Sequence, residues 1–290
     1  MRILITGATG FIGKSFLERY FNKKKLMVIS RRNKPNKLKI NWIKSDISNI
    51  QKKIKTIKKF DPNILIHLAW EGIPLLNKKN SLINLKKHKI FFKILLKFIK
   101  FEKIIVSGSC FQYDTKHNKI YEDSKLSNSH FSKAKNSLYN FLLRQQIKNK
   151  FKLIWFIIFY VYGSNQRKES LIPSLIMKLK RNQEVFLNSP YEKKDFIYIN
   201  DVINAFEKAV SSNVNGIFNL GYGKPYSPLY IARFLKKKLN SQSALNLNKE
   251  FNRKNKKTFY ASISKTKKYF CWKPKFSLKL GLINTLKNSY

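Results

Sequence analysis

A short apolar run, Arg2–Thr6, leads directly into Thr6-Gly7-Ala8-Thr9-Gly10-Phe11-Ile12-Gly13, and a helical pattern follows from Phe11 to Phe21. Glycines at that spacing between a strand and a helix serve a backbone that must pass close to something. Gly7 permits the tight turn and Gly10 lets backbone N–H groups approach a pyrophosphate. Gly13 lets the helix pack close to the strand, and the helix N-terminus adds partial positive charge. The turn predicts a dinucleotide site at the start of a doubly wound parallel sheet. Its candidate cofactor contacts are Gly7, Thr9, Gly10, Phe11, Ile12 and Gly13.

The rest of the first half alternates short β runs with longer helical patterns, which predicts α/β architecture of the Rossmann type with helices on both faces. Strands are expected at Leu26–Ser30, Asn41–Lys44, Ile64–Ala69, Lys103–Ser107 and Leu153–Val161. Helices are expected at Ile50–Phe60, Ser81–Lys100 and Phe131–Asn149 by their 3.6-residue period. Beyond Tyr162 shorter segments follow: Leu171–Lys180, Asp201–Ser211 and Leu229–Leu239 as helices, Phe196–Ile199 and Gly216–Leu220 as strands. The organisation read from this is a nucleotide-binding core over 1–160 and a smaller, interleaved substrate region over 161–290. A strand and helix near 196–220 are expected to return to the core.

Charge narrows the partners. The 290 residues carry 60 Lys plus Arg against 15 Asp plus Glu, a net +45. The cations are 51 Lys and 9 Arg, spread from Lys14 to Lys287. Nucleic-acid sites favour the bidentate Arg fork and gather their charge in a patch. The abundance of Lys, Asn, Ile and Phe, all with A/T-rich codons, reads as coding bias, and no nucleic-acid partner is expected. Two cysteines, Cys110 and Cys271, make no disulfide framework or Cys-rich zinc site. His67, His88 and His117 lack metal-ligand spacing and read as structural or surface groups, so no metal is expected. The apolar start at Ile3 has no charged leader, and the longest apolar run, Leu153 to Tyr162, falls short of the about 20 residues that span a bilayer. The expectation is a cytoplasmic chain with no membrane partner.

Several motifs then occur in order. Ser45-Asp46-Ile47 follows the third strand, and His67-Leu68-Ala69 ends the fourth, with Asn84 on the next helix. Ser107-Gly108-Ser109-Cys110-Phe111-Gln112-Tyr113 closes the fifth. Tyr162-Gly163-Ser164-Asn165-Gln166, Leu171-Ile172-Pro173, Lys194-Asp195-Phe196-Ile197-Tyr198-Ile199-Asn200-Asp201, Gly216-Ile217-Phe218-Asn219-Leu220-Gly221 and Trp272-Lys273-Pro274 come later. With the N-terminal glycine turn, this series resembles the extended short-chain dehydrogenase/reductase family, the NAD(P)-dependent epimerases, dehydratases and reductases of nucleotide-linked sugars. The resemblance implies that Asp46 and Ile47 hold the adenine, that Leu68 and Ala69 line the cofactor, and that Ser109, Cys110, Tyr160 and Lys194 meet a nucleotide-diphosphate sugar. A 4-keto-6-deoxyhexose for surface polysaccharide is the expected substrate. Long helices 81–100 and 131–149 would supply a homodimer contact of four helices, against the repulsion of their lysines.

Strand two ends Ser30-Arg31-Arg32, without the carboxylate that would bind the ribose 2′-OH of NAD. Two guanidinium groups suit a 2′-phosphate, so NADP is expected, with NAD left open. The family chemistry needs a Ser hydroxyl to orient the substrate oxygen, a Tyr to pass the proton and a Lys four residues on to hold the nicotinamide ribose. Ser109 fits the first role. The register that fits best for the others is Phe131-Ser132-Lys133-Ala134-Lys135, with Phe131 where the family has Tyr and Lys135 as the lysine. Tyr121–Lys125 is a literal alternative, and Ser129–Lys133 a third register without Tyr. A phenyl ring has no proton to give, so either another group such as His130 or a water relays it, or the reaction differs, or the protein binds nucleotide without turnover. Lys194 replaces an Arg, Tyr160 an Asn, Ile157 an Arg and Ser262 an Asp of the family pattern, departures that touch the substrate more than the fold.

Overall fold

The structure, a computed structural model, describes residues 1–20, 25–36, 38–73, 77–248 and 257–288. In chain order the elements are β1 (Arg2–Thr6), α1 (Phe11–Tyr20), β2 (Lys25–Ser30), β3 (Asn41–Lys44), α2 (Ile54–Phe60), β4 (Ile64–His67), α3 (Lys78–Phe98), β5 (Lys103–Ser109), β6 (Lys119–Ile120) and α4 (His130–Asn149). There follow β7 (Lys152–Ile158), β8 (Tyr160–Tyr162), α5 (Leu171–Lys180), β9 (Val185–Leu187), β10 (Lys193–Tyr198), α6 (Ile199–Ser211) and β11 (Gly216–Leu220). The last are β12 (Pro225–Tyr226), α7 (Pro228–Lys238), β13 (Leu245–Leu247), β14 (Thr258–Ala261), α8 (Ser264–Phe270) and α9 (Leu278–Asn288). Phe21, the expected end of the first helix, lies outside the described residues.

The chain forms two compact units. The first comprises 1–114, 125–157 and 203–218, the second 115–124, 158–202 and 219–290. The main sheet runs β11-β7-β5-β4-β1-β2-β3. Parallel registers join β1 to both β2 and β4, β2 to β3, and β4 to β5. The order reverses between β1 and β4, the topological switch point at which doubly wound sheets hold ligands. Ile3, Leu4, Ile5, Leu65, Ile66, Ile104, Ile105 and Val106 are fully buried, as expected of strands covered on both faces. The doubly wound α/β fold anticipated from the strand–helix alternation is therefore the fold observed.

Local chemistry sets the helix ends that matter for the site. Asn77 Oδ1 accepts from the Asn80 N–H at 2.8 Å and caps α3, and Ser129 Oγ accepts from the Ser132 N–H at 3.2 Å and caps α4. The helix expected from Ile50 is a 3₁₀ turn, Ile47–Lys53, passing into α2. Lys103, 7% exposed, donates from Nζ to the carbonyls of Ala209 (2.9 Å), Val210 (2.7 Å) and Ser212. A cation at the C-terminal end of α6 neutralises its orphan carbonyls and fastens 203–218 into the first unit. No helix of the described residues is long and apolar enough to cross a membrane.

Two expectations need correction. The apolar run Leu153–Val161 is not one strand. It breaks at Phe159, whose N–H donates to the Leu220 carbonyl at 2.9 Å, and β8 then pairs with β10. The strand near 196 does not return to the core: β10 pairs with β8, β12 and β14 inside the second unit, and only 203–218 returns. The chain accordingly passes to the second unit after Ile157 rather than at 160.

Asp195 organises the second unit. It is wholly buried, and its carboxylate accepts from the N–H groups of Tyr222 (2.6 Å), Gly223 (2.9 Å) and Ala261 (3.0 Å). Burial pushes its pKa up to about 6 against those three donors. Asp195→Asn would turn an amide N–H₂ toward donors that need an acceptor. The expected cost is about 1–3 kcal/mol, read as a lower denaturation midpoint in urea.

Candidate functional site

The glycine turn closes on β4. Gly7 has φ +72°, and a Cβ there would lie 2.5 Å from Ala69 N and 2.6 Å from the Leu68 carbonyl carbon. Its own carbonyl accepts from the Gly10 N–H at 3.0 Å, and Gly10 O accepts from the Lys14 N–H at 2.8 Å to start α1. A Cβ on Gly13 would collide with the Gly7 carbonyl and the Ala8 backbone. At Gly10 a Cβ would meet only Gly7 O, at 3.2 Å. The turn is thus sealed against β4 and bare on the side where Gly10 opens.

On that side is a pocket lined by Gly7, Thr9 and Gly10, by Ile29–Arg32, by Ser45–Ile47, by Leu68–Glu71 and by His88. Nine expected cofactor residues meet here: Gly7, Thr9, Gly10, Arg31, Arg32, Asp46, Ile47, Leu68 and Ala69. Phe11 and Ile12, half-buried at the start of α1, and Gly13, buried beneath the turn, do not line it. Bare backbone, apolar Ile47 and Leu68, two carboxylates and two guanidinium groups fit an adenine nucleotide.

Arg31, Asp46 and Glu71 are already engaged. Arg31 Nη1 lies 3.0 Å from Glu71 Oε1, and its Nε 3.9 Å from Asp46 Oδ2. Asp46 Oδ1 accepts from the Ser48 N–H (2.8 Å) and hydroxyl (2.6 Å), capping the 3₁₀ turn. Burial raises the Asp46 pKa, but these bonds and the charges of Lys87 and Arg31 outweigh it and hold the carboxyl below its ordinary range. Trp42 Nε1 donates to the Arg32 carbonyl at 3.0 Å. Glu71, the counter-ion of Arg31, was not legible as a site residue, although it stands two positions beyond the His67-Leu68-Ala69 motif.

His88 was also missed. Its Nδ1 meets His67 Nε2 at 2.8 Å, and His67 Nδ1 meets Thr6 Oγ1 at 2.8 Å. Buried His88 Nε2 has no hydrogen-bond partner among the described residues. Asn84, one turn earlier on α3, accepts from the Glu71 N–H (2.9 Å) and donates to the Glu71 carbonyl (3.1 Å), which fixes the chain leaving β4. The 3.6 period from Asn84 is the signal that could have found His88. Burial, then the charges of Lys135 and Lys87, push the His88 pKa down to about 3. The unfolded chain therefore takes up the proton first. Stability present at pH 7 is expected to fall as pH drops from about 6.5 toward 3, less steeply in His88→Phe, as checked by thermal unfolding across pH.

A second cluster lies at the end of β5 and the start of α4. Ser109 Oγ accepts from the Phe111 N–H at 3.3 Å, and Ser109 N–H donates to Gln112 Oε1 at 3.1 Å. Gln112 Oε1 also accepts from Trp155 Nε1 (3.2 Å), and its amide donates to Asn136 Oδ1 (2.7 Å), so one side chain ties the Ser109 turn to α4 and β7. Phe131 and Lys135, one helical turn apart, are 2% and 3% exposed. Lys135 Nζ donates to the Ser107 carbonyl at 2.9 Å. Tyr121 is exposed and lies outside any helix, as does Lys125, which gives that register no helical turn to align its two side chains. His130 is exposed at the first position of α4. Cys110 is buried. In the second unit, Lys194 Nζ sits 5.3 Å from the Tyr160 ring centre and 3.3 Å from Glu192 Oε2. Among the described residues no group of His, Cys, Asp and Glu is arranged to hold a metal.

Comparison with known proteins places these features. The sequence profile described as "NAD dependent epimerase/dehydratase family" matches residues 3–221. A dTDP-4-dehydro-6-deoxyglucose reductase of Escherichia coli is 26% identical over 265 residues, 84% of this chain and 83% of the relative. The structure of a UDP-glucose 4-epimerase with UDP-glucose from Thermotoga maritima superposes with TM-score 0.87 at 20% identity, covering 99% of this chain and 98% of the other. That of a Thermus thermophilus UDP-glucose 4-epimerase in complex with NAD gives 0.84 at 17% identity, covering 99% and 98%.

Proposed function

The chain belongs to the NAD dependent epimerase/dehydratase family, and from that footing we propose that it is an NADP-dependent enzyme that reduces, epimerises or dehydrates a nucleotide-diphosphate sugar. The observation that carries this reading is the convergence of the glycine turn, the Ser30-Arg31-Arg32 strand end, Asp46-Ile47 and Leu68-Ala69 on one pocket. The E. coli relative, a reductase of a 4-keto-6-deoxy sugar nucleotide by its name, supports a substrate of that class. Ser30 at the strand end and two guanidinium groups favour the 2′-phosphate of NADP over the bare ribose of NAD. In fluorescence titrations NADPH is expected to bind at least tenfold tighter than NADH. Tighter NADH binding would move the assignment to NAD, and binding of neither would defeat the cofactor reading.

When bound, the nicotinamide would exchange hydride with the sugar carbon. Lys135 would hold the ribose, Ser109 would orient the sugar oxygen, and Lys194 beside Tyr160 would meet the diphosphate. Phe131 offers no proton at the position where the family carries a phenol. A second reading follows from this one residue: a cofactor- or sugar-nucleotide-binding protein without turnover. Phe131→Tyr separates the two. Under the second reading it raises oxidation of NADPH by 4-keto sugar nucleotides from nothing measurable; under the first, wild type turns over and the variant gains up to about 10²–10⁴-fold. A homodimer through α3 and α4 is part of the proposal. Leu82, Ile83 and Ile90 are exposed on α3, and sedimentation velocity checks the oligomeric state.

A further inference from the structure

The ammonium group of Lys135 is buried without a counter-ion. Among the described residues no carboxylate pairs with it. The carboxylates of the neighbouring pocket are committed elsewhere, Asp46 to Ser48 and Arg31, and Glu71 to Arg31 and Lys87. The titratable groups that share its surroundings are His67 at the end of β4, His88 on α3 and Tyr139 one turn on along α4. Both imidazoles are driven neutral by burial, and the charge of Lys135 drives them further. None of these supplies negative charge. Burial alone brings Lys135 down to about 7, where an amine would be half neutral at physiological pH.

The Ser107 carbonyl accepts from Nζ at 2.9 Å, and beyond that one neutral dipole the favourable neighbours are indole rings. Lys135 Nζ stands 3.9 Å from the ring centre of Trp70, and 5.9 Å from that of Trp155. The negative face of an indole attracts a cation, most strongly where water is excluded. The Trp70 ring is itself held on two sides of its chemistry. It lies parallel to the His88 imidazole (2°, centroids 5.0 Å apart) and edge-to-face with Phe131 (84°, 5.7 Å). Trp70 also lines the pocket assigned above to the nucleotide.

We propose that Trp70 is a positioning residue for Lys135: its indole face takes the place of a counter-ion, keeping the buried amine protonated and fixed beside the nucleotide pocket, while His88 and Phe131 fix the indole. Its bearing on function rests on the reading of Lys135 as the residue that holds the cofactor ribose, because an ammonium donates stronger hydrogen bonds to hydroxyls than an amine does.

The test is the protonation of Lys135 itself, read in the full-length protein by competitive isotopic acetylation and mass spectrometry from pH 5.5 to 9, with exposed lysines as internal standards. Trp70→Leu is expected to lower the proton affinity of Lys135 about tenfold, and Trp70→Phe to recover most of it. An unchanged titration in a folded Trp70→Leu protein overturns the proposal, as do equal effects of Leu and Phe. Should Trp70→Leu fail to fold, replacing tryptophan by 5-fluorotryptophan decides the matter, since fluorine drains the ring face at nearly constant size. A Lys135 titration that does not move toward lower pH overturns the proposal there too. NADPH binding forms the separate arm, with Trp70→Leu expected to weaken it about tenfold at pH 7.5. If wild type binds no NADPH, the nucleotide reading fails while acetylation still decides the role of Trp70.

Discussion

The contact on which the rest of the first unit depends is that of Gly7 with the end of β4. Two parallel strands are brought so close at the switch point that a single Cβ on Gly7 would overlap Ala69 N and Leu68 C. Because the turn is pressed there, Gly7, Thr9 and Gly10, the end of β2 and the end of β4 line one volume. Asn84 extends the constraint by gripping both backbone groups of Glu71, so the chain after β4 cannot drift from the pocket wall. The apolar strands hold this arrangement rigid because they are buried on both faces.

Electrostatics inside this frame differ from those on its surface. Outside, lysines are plentiful and solvated. Inside, a few charges must be balanced by what surrounds them. Arg31 uses two carboxylates, Lys103 uses the carbonyl end of α6, and Lys135 has a carbonyl and the faces of indole rings. Three kinds of acceptor thus answer three cations, Arg31 exposed at the pocket and Lys103 and Lys135 buried. Phe131 belongs to the same account, since it meets Trp70 edge-on as hydrocarbon.

Much of the fold was legible because its signals are local. Glycine spacing, apolar runs and the 3.6 period located β1 to β5, α1, α3 and α4 to within a few residues. What was not legible depends on partners distant in the chain. Phe159 interrupts an unbroken apolar run because Leu220 takes its N–H, and β10 leaves the core because β8, β12 and β14 bond to it. In the site, nine expected cofactor residues line the pocket while Phe11, Ile12 and Gly13 do not, and Trp70, Glu71 and His88 did not announce themselves. Each acts through a neighbour: Glu71 through Arg31, His88 through His67, Trp70 through Lys135. Side-chain pairing across elements leaves no spacing in the sequence for Trp70 and Glu71, whereas His88 shares the helical period of Asn84.

The division of the chain carries a consequence for its synthesis. It passes between the two units at 114, 124, 157, 202 and 218. Neither unit is therefore a continuous stretch that could be cut out and expressed alone. A ribosome delivering the chain from its N-terminus releases β1 to β7 long before β11 arrives to flank β7. For that interval the apolar edge of β7 stands open, and a nascent chain of this design has good use for a chaperone until residue 220 emerges.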